Sequence, residues 1–271
     1  MSYVKELIAT RELLGNLTMR EVKGQYRRTV FGQLWSLFNP IATMLVYSLV
    51  FGLFFPARPA AGQPSGLDIY PLWLMSVLLP WSYFTSVVNG GLNSIVSNAS
   101  LIKKVYFPRM QLPFSVALSN GITWALEMGV LLVALVLFGG WPLPWLPLVL
   151  VTMVFLALFA VGLALLLAIL NVHFRDTRHF VSILLRLWMY LTPIIYPLDR
   201  VLHATRDHPW LYQLYVLNPM EHFAVVFRDL LYDNRWPHPS DFLAVALSSV
   251  VVFIVGYLVF SRKERTLAEL L

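Results

Sequence analysis

Long apolar stretches separated by short polar ones dominate the chain. No charged residue lies between Arg28 and Arg58, between Asp68 and Lys103, or between Glu127 and Arg175. A helix needs about 20 predominantly apolar residues to cross the hydrocarbon layer. The pattern therefore predicts spans at 33–56, 70–96, 113–138, 146–171, 180–197 and 241–260. Gly and Pro mark the boundaries: Pro56, Pro71, Pro113, the Gly139–Pro147 stretch, Pro197 and Pro239. Backbone groups inside a bilayer find no water partner, so each span is expected to be helical. The fold class is all-α integral membrane, a single transmembrane domain over residues 1–271.

Two segments fit neither span nor turn. Over residues 2–28, Val4, Leu7, Ile8, Leu14, Leu17, Val22 and Tyr26 are interleaved with basic residues at roughly helical spacing. That is the pattern of an amphipathic helix in the membrane interface, so residues 1–32 precede the spans of 33–197. Residues 198–239 are too long for a turn and too polar for a span, and they lead to span six and a tail over 240–271. Trp210, Tyr212 and Tyr215 are interface-belt types. Asn218 is placed to cap a helix, Pro219 suits its first position, and Glu221 stands where a capping box puts its acid. The helix that follows, to about Tyr232, has an apolar face of Phe223, Val226, Phe227, Leu230 and Leu231. Short outer-leaflet helices are expected between spans five and six. The loop at 57–69, rich in Ala, Gly and Pro, reads as a flexible connector.

Charge adds a direction. The chain is 58% hydrophobic and 13% charged, with a net charge of +6. Residues 1–32 carry Lys5, Arg11, Arg20, Lys23, Arg27 and Arg28. Loop 97–112 carries Lys103, Lys104 and Arg109, loop 172–179 Arg175 and Arg178, and the tail Arg262, Lys263 and Arg265. The opposite side has Arg58, Arg200, Arg206, Arg228 and Arg235. The positive-inside rule places the first set, and with it both termini, in the cytoplasm. The basic residues follow topology rather than one face, so no nucleic-acid partner is expected. No apolar core of signal-peptide type occurs in the first 30 residues, and no cleaved leader is expected. Glu127 and Arg186 fall inside spans three and five. A charge at the bilayer centre costs about 2.5–3.5 kcal/mol. Glu127 is thus expected to face the bundle interior or an aqueous path, and Arg186 to snorkel toward the cytoplasmic end.

Candidate chemistry is sparse. There is no cysteine, which excludes disulfides and thiolate catalysis. No G-x-x-x-x-G-K followed by Ser or Thr occurs, so the chain has no phosphate-cradling loop. H-E-x-x-H and G-x-S-x-G are absent too. Of six histidines, His203 and His208 alone have plausible metal spacing, and they lie in an outer loop. The acids Asp199, Asp207, Glu221, Asp229, Asp233 and Asp241 form no D-x-D pair. The chain reads as a non-enzyme that holds no metal or cofactor of its own.

Five stretches, in order, resemble the membrane subunits of ABC-2 type polysaccharide exporters, the family that exports O-antigen, teichoic acid and capsule. They are residues 17–40, with Tyr26-Arg27-Arg28 and the Gly32-x-x-Trp35 approach to span one; Asn98–Arg109; Asn171-Val172-His173-Phe174-Arg175-Asp176; Thr192-Pro193-Ile194-Ile195-Tyr196-Pro197; and Asn218-Pro219 followed by Phe227-Arg228. The resemblance implies a homodimer with two copies of a separate ABC ATPase, which would bind the ATP and magnesium. It also implies export of a polyprenyl-pyrophosphate-linked glycan across a bacterial inner membrane. Asn98, Leu101, Ile102, Lys103, Lys104, Tyr106, Phe107 and Arg109 would dock into the ATPase, with Phe174, Arg175 and Asp176 as a second contact. Arg20, Lys23, Tyr26, Arg27, Arg28 and Trp35 would meet the lipid pyrophosphate at a cytoplasmic gate, beside membrane lipids. Asn218, Pro219, Glu221 and Arg228 would form the outer-leaflet motif. Nine Trp, twelve Tyr and eighteen Phe suit a path for sugar rings, whose C–H faces stack on aromatics. Three alternatives stand beside this reading: an ABC-2 exporter of another lipid or drug, a membrane enzyme acting on lipid-linked sugars, and a scaffold for a secretion complex.

Overall fold

The computed structural model describes residues 10–25, 31, 32, 34–50 and 61–264. Tyr26, Arg27 and Arg28 lie outside them. The helices are α1 Arg11–Gln25, α2 Leu34–Leu49, α3 Tyr70–Ser97, the single turn α4 Ala99–Ile102, α5 Gln111–Leu137, and α6 Leu146–His173 entered through a 3-10 turn at Leu143–Trp145. Then come α7 Thr177–Tyr190, α8 Leu198–Ala204, α9 Pro209–Val216, α10 Pro219–Arg228 continued by a π-helical turn Asp229–Asp233, and α11 Pro239–Lys263.

Proline sets the starts. Pro71, Pro147, Pro209, Pro219 and Pro239 each occupy the first turn of a helix, where the missing N–H has no intrahelical partner to lose. The end of α5 is set by Gly139, whose φ of +94° lets the Gly140 N–H reach back to the Leu135 carbonyl at 2.9 Å. Among the described residues, four helices are long and apolar enough to cross a membrane: α3, α5, α6 with its 3-10 entrance, and α11. Small polar residues within them bond their own backbone, as Ser94 does to Gly91 and Thr152 to Leu148, which satisfies their hydroxyls inside the bundle.

Span five departs from expectation. The helix stops at Tyr190, seven residues before the expected end at 197. Its 14 residues rise about 21 Å, short of the roughly 30 Å hydrocarbon thickness. Pro193 and Pro197 explain the stop, because each lacks the N–H that would continue the ladder. The first span is described from Leu34 to Leu49.

α3 is the buried axis of the bundle and packs on α5 and α6, while α11 packs along α6. The α6–α11 crossing rests on two glycines. A Cβ on Gly162 would stand 2.6 Å from the Val252 carbonyl oxygen, and one on Gly256 would collide with the Gly162 backbone. Small residues at such a crossing let the helix backbones touch, the main packing device available in lipid. Aromatic pairs fill the rest: Tyr83 stacks on Trp124 at 4.2 Å, and Phe84 lies on Phe159 at 5.7 Å. These four rings are buried among the helices and so belong to the core rather than to a path for cargo.

Candidate transport and coupling sites

The loops after α3 and α6 lie at one end of the bundle. Asn171, 3% exposed, donates to the Leu92 carbonyl at 3.1 Å and ties the end of α6 to the end of α3. A cavity of about 310 Å³ opens beside this tie, lined by Asn93, Asn171, Arg175, Asp176 and Arg178 among others. Phe174, Arg175 and Asp176 are exposed, as a docking contact requires.

The first loop divides differently from its sequence pattern. Ile102 is 7% exposed and Phe107 6%, and Leu101 packs against the same core. These apolar side chains anchor the loop to its own bundle and are not available as knobs for another protein. The exposed apolar residues are Tyr106, at 83%, and Val105, which the sequence reading passed over. Lys103 and Lys104 flank them and are exposed. Arg109 is turned inward: its backbone N–H and guanidinium both bond Glu264 at the end of α11.

α1 lies along α5, with Leu17, Thr18 and Val22 buried against the bundle. Its apolar edge is therefore spent on protein, and its basic edge stays outside. Arg20 donates to the Asn98 side chain at 2.7 Å, linking α1 to the loop that follows α3. Arg20, Lys23, Asn16, Met19 and Gly24 line a groove of about 570 Å³. Trp35, 44% exposed, stands at the start of α2 between Phe31 and Phe38, with ring centroids 5.7 and 5.5 Å away.

The opposite end is organised by α10. Asn218 caps this helix by accepting from the Met220 N–H at 3.1 Å. The same side chain accepts from Trp188 Nε1 at 2.7 Å and donates to the Thr192 hydroxyl at 3.1 Å. It thus fixes α10 to the broken end of α7. Glu221 does not close a capping box. It is 3% exposed and turns to His222 Nδ1, 3.2 Å away. His222 Nδ1 also meets Asp241 Oδ1 at 2.8 Å, and its Nε2 donates to the Val216 carbonyl at 2.9 Å. Arg228, 9% exposed, lays its guanidinium 3.8 Å over the Trp73 ring and donates to the Pro193 carbonyl at 2.9 Å. This residue of the expected outer-leaflet motif thus braces the turn that ends α7.

Burial pushes the Glu221 carboxyl above its usual range, and the hydrogen bond to Asp241 is the main reason His222 holds its proton to higher pH. In both cases the folded chain keeps a proton that the unfolded chain releases. The stabilising contribution is complete below the unfolded value, about 4.3 for Glu and 6.5 for His, and is lost as pH rises through the folded value. Hydrogen exchange in α10, corrected for intrinsic rate, is expected to be faster at about pH 8.5 than at about pH 6. His222→Gln should flatten that difference. Equal protection at both pH values would remove the assignment.

Glu127 stands half-buried in the middle of α5, with no ion pair among the described residues. Arg186 is exposed on α7 about 14 Å along the axis from Thr177. The exposed residues around it, Ile183, Leu184, Leu187 and Tyr190, are apolar.

Comparison with known proteins decides the family. The profile of the ABC-2 type transporter family matches residues 12–232. This chain belongs to the ABC-2 type transporter family. The match runs from α1 through the π turn after α10, so the amphipathic helix and the far-end helices are both part of the family unit. Over 266 residues, 98% of both chains, it is 33% identical to the O-antigen export system permease protein RfbA of Myxococcus xanthus. It is 28% identical to an RfbA of Klebsiella pneumoniae, over 96% of this chain and 95% of the relative. It is 25% identical to the capsule polysaccharide export inner-membrane protein CtrC of Neisseria meningitidis, over 96% and 94%. As an ABC-2 member with membrane-crossing helices, the chain is a multi-pass membrane protein.

Proposed function

We propose that the chain is the transmembrane subunit of an ATP-driven exporter that carries a polyprenyl-linked polysaccharide across a bacterial inner membrane. The observation that carries this reading is similarity over nearly the whole chain to permeases named for O-antigen and capsule export. The sequence has no phosphate-cradling loop, so the energy comes from a separate ABC ATPase that binds the ATP and magnesium. That partner docks on Lys103, Lys104, Val105 and Tyr106, with Phe174, Arg175 and Asp176 beside it. The basic end is cytoplasmic by the positive-inside rule, and both termini lie there.

A second copy of the chain completes the path. α7 is too short to cross alone and presents an apolar face that carries Arg186. A guanidinium facing lipid at that depth is costly, whereas one facing a second copy or an aqueous path is not. The rival reading, a membrane enzyme with a metal on an acid pair, meets an obstacle. Asp229 and Asp233 do stand together, but Arg235 holds both, at 2.6 and 3.4 Å, where a metal would sit.

Cargo enters at the groove of α1. Arg20 and Lys23 present two cations at the interface, each worth about 1 kcal/mol toward an anionic headgroup. A diphosphate bridging them would stand beside Asn98, in line with the docking loop. In a strain lacking the chromosomal copy, wild-type chain is expected to restore surface polysaccharide. Arg20→Gln with Lys23→Gln should restore about a tenth or less at equal protein level. Full surface polymer from that variant removes the groove from the path, and full polymer in the deletion strain itself removes the proposed function.

A further inference from the structure

A second polar cavity lies at the other end of the bundle, where the chain was expected to offer only short leaflet helices. It holds about 430 Å³, within the roughly 300–1,000 Å³ of small-molecule sites. Its wall is built by four separated pieces of chain: Gln63 before α3, Trp73 in α3, Asp199 in α8, and Arg228, Asp229, Asp233 and Arg235 around the π turn. A π turn inside a helix is uncommon and often marks a functional position. Here Asp229 and Asp233, at the two ends of the turn, line the cavity together with Arg228.

The groups are charged, and two of them are buried. Asp229 is 4% exposed and Arg228 9%. Asp229 is held by Arg235 through two bonds, 2.8 and 2.6 Å, to one carboxylate oxygen. Asp199 is exposed in the first turn of α8. Arg228 is the informative member. One terminal nitrogen is used on carbonyls after α7, but its Nε–H has no partner among the described residues. A buried guanidinium donor without an acceptor destabilises the fold unless something supplies the acceptor.

The balance of charge selects the ligand. Three carboxylates and two guanidinium groups line one cavity. A metal cation is opposed by Arg228 and Arg235, and a phosphate is opposed by the three acids. What satisfies both sets is a group that donates to carboxylates and accepts from guanidinium at once. Vicinal hydroxyls do this, and a sugar ring presents several of them.

We propose that this cavity is a glycan subsite, which holds one sugar unit of the emerging polymer through hydroxyls shared between Arg228 and the aspartates. The proposal rests on the export reading above, but it adds a place on the far side of the membrane where sugar, not lipid diphosphate, is recognised. A weak polar grip there favours forward movement, because a unit held outside does not slip back between ATP cycles.

The test uses the permease–ATPase complex in lipid nanodiscs. The probe is an oligosaccharide released by mild acid from the strain's own surface polymer, free of lipid and diphosphate. Binding is read by saturation-transfer NMR and calorimetry. Wild type should bind, and inorganic pyrophosphate should not displace the sugar. Val225→Trp fills the cavity from a half-buried lining position without replacing a charged group, and is expected to weaken binding at least about tenfold. Asp199→Asn, at an exposed residue that puts no fold at risk, should weaken it about threefold. No binding by wild type, displacement by pyrophosphate, or equal binding by wild type and Asp199→Asn overturns the subsite. The deletion strain separates this from the larger reading. Loss of surface polymer there with unchanged sugar binding in both variants rejects the subsite and leaves the export function standing.

Discussion

Gly162→Val is expected to abolish accumulation of the folded chain. α6 and α11 form the most extensive helix pair in the bundle, and they meet backbone to backbone at Gly162 and Gly256. The first atom of any side chain at Gly162 would stand 2.6 Å from the Val252 carbonyl oxygen and 2.7 Å from the Phe253 Cα. Neither neighbour is a flexible side-chain tip, so relief requires the helices to separate. Overpacking a core costs about 1–3 kcal/mol when side chains can yield, and here they cannot. Gly129→Ala is the matched control. It lies in α5 with nothing within 4 Å of the added atom, and should be neutral or stabilising by about 0.5–1 kcal/mol. The measurement is the monodisperse fraction after detergent extraction, with a thermal melt of what survives. Normal yield and melting for Gly162→Val would mean that the crossing is not close-packed.

The second large effect concerns the docking loop, where two kinds of substitution should part company. Lys103→Glu and Lys104→Glu together with Tyr106→Ala change exposed residues only. They should reduce co-purification of the ATPase at least about tenfold, because a buried aromatic anchor with charged neighbours carries much of an interface's energy. The chain itself should stay folded. Ile102→Asp should instead lose the chain, since it buries a carboxylate at a 7% exposed position without a partner. If the triple variant still retains the ATPase, the loop is not its docking site. If Ile102→Asp folds normally, the burial assigned to this loop is wrong.

The membrane character and the helix starts were legible because both depend on local sequence. Long apolar runs locate α3, α5, α6 and α11, and a proline in the first turn fixes the start of several helices. The end of α7 was not legible. Residues 180–197 form an apolar stretch with prolines near one end, and hydropathy does not distinguish a crossing helix from one that stops and turns. The docking loop shows the same gap. Leu101, Ile102 and Phe107 look like knobs in a short loop, and only the position of the bundle shows that they face inward while Tyr106 and Val105 face out. Far-end contacts were beyond reach for a related reason. The Trp188–Asn218 bond and the Arg228–Trp73 stack join residues 30 and 155 positions apart in sequence. The capping box at Glu221 failed because the acid is buried and turns to the neighbouring His222 instead of back to the helix start.

The central claim is that this chain moves polysaccharide when a separate ATPase supplies the energy. Inverted inner-membrane vesicles test it most directly, with the cytoplasmic face outward. Vesicles from cells carrying the chain and its ATPase are given lipid-linked glycan and ATP, and glycan protected from an added glycosidase is measured. Protected glycan should rise with ATP and stay at background without ATP, without the ATPase, or without this chain. Equal protection in vesicles that lack the chain would contradict the account.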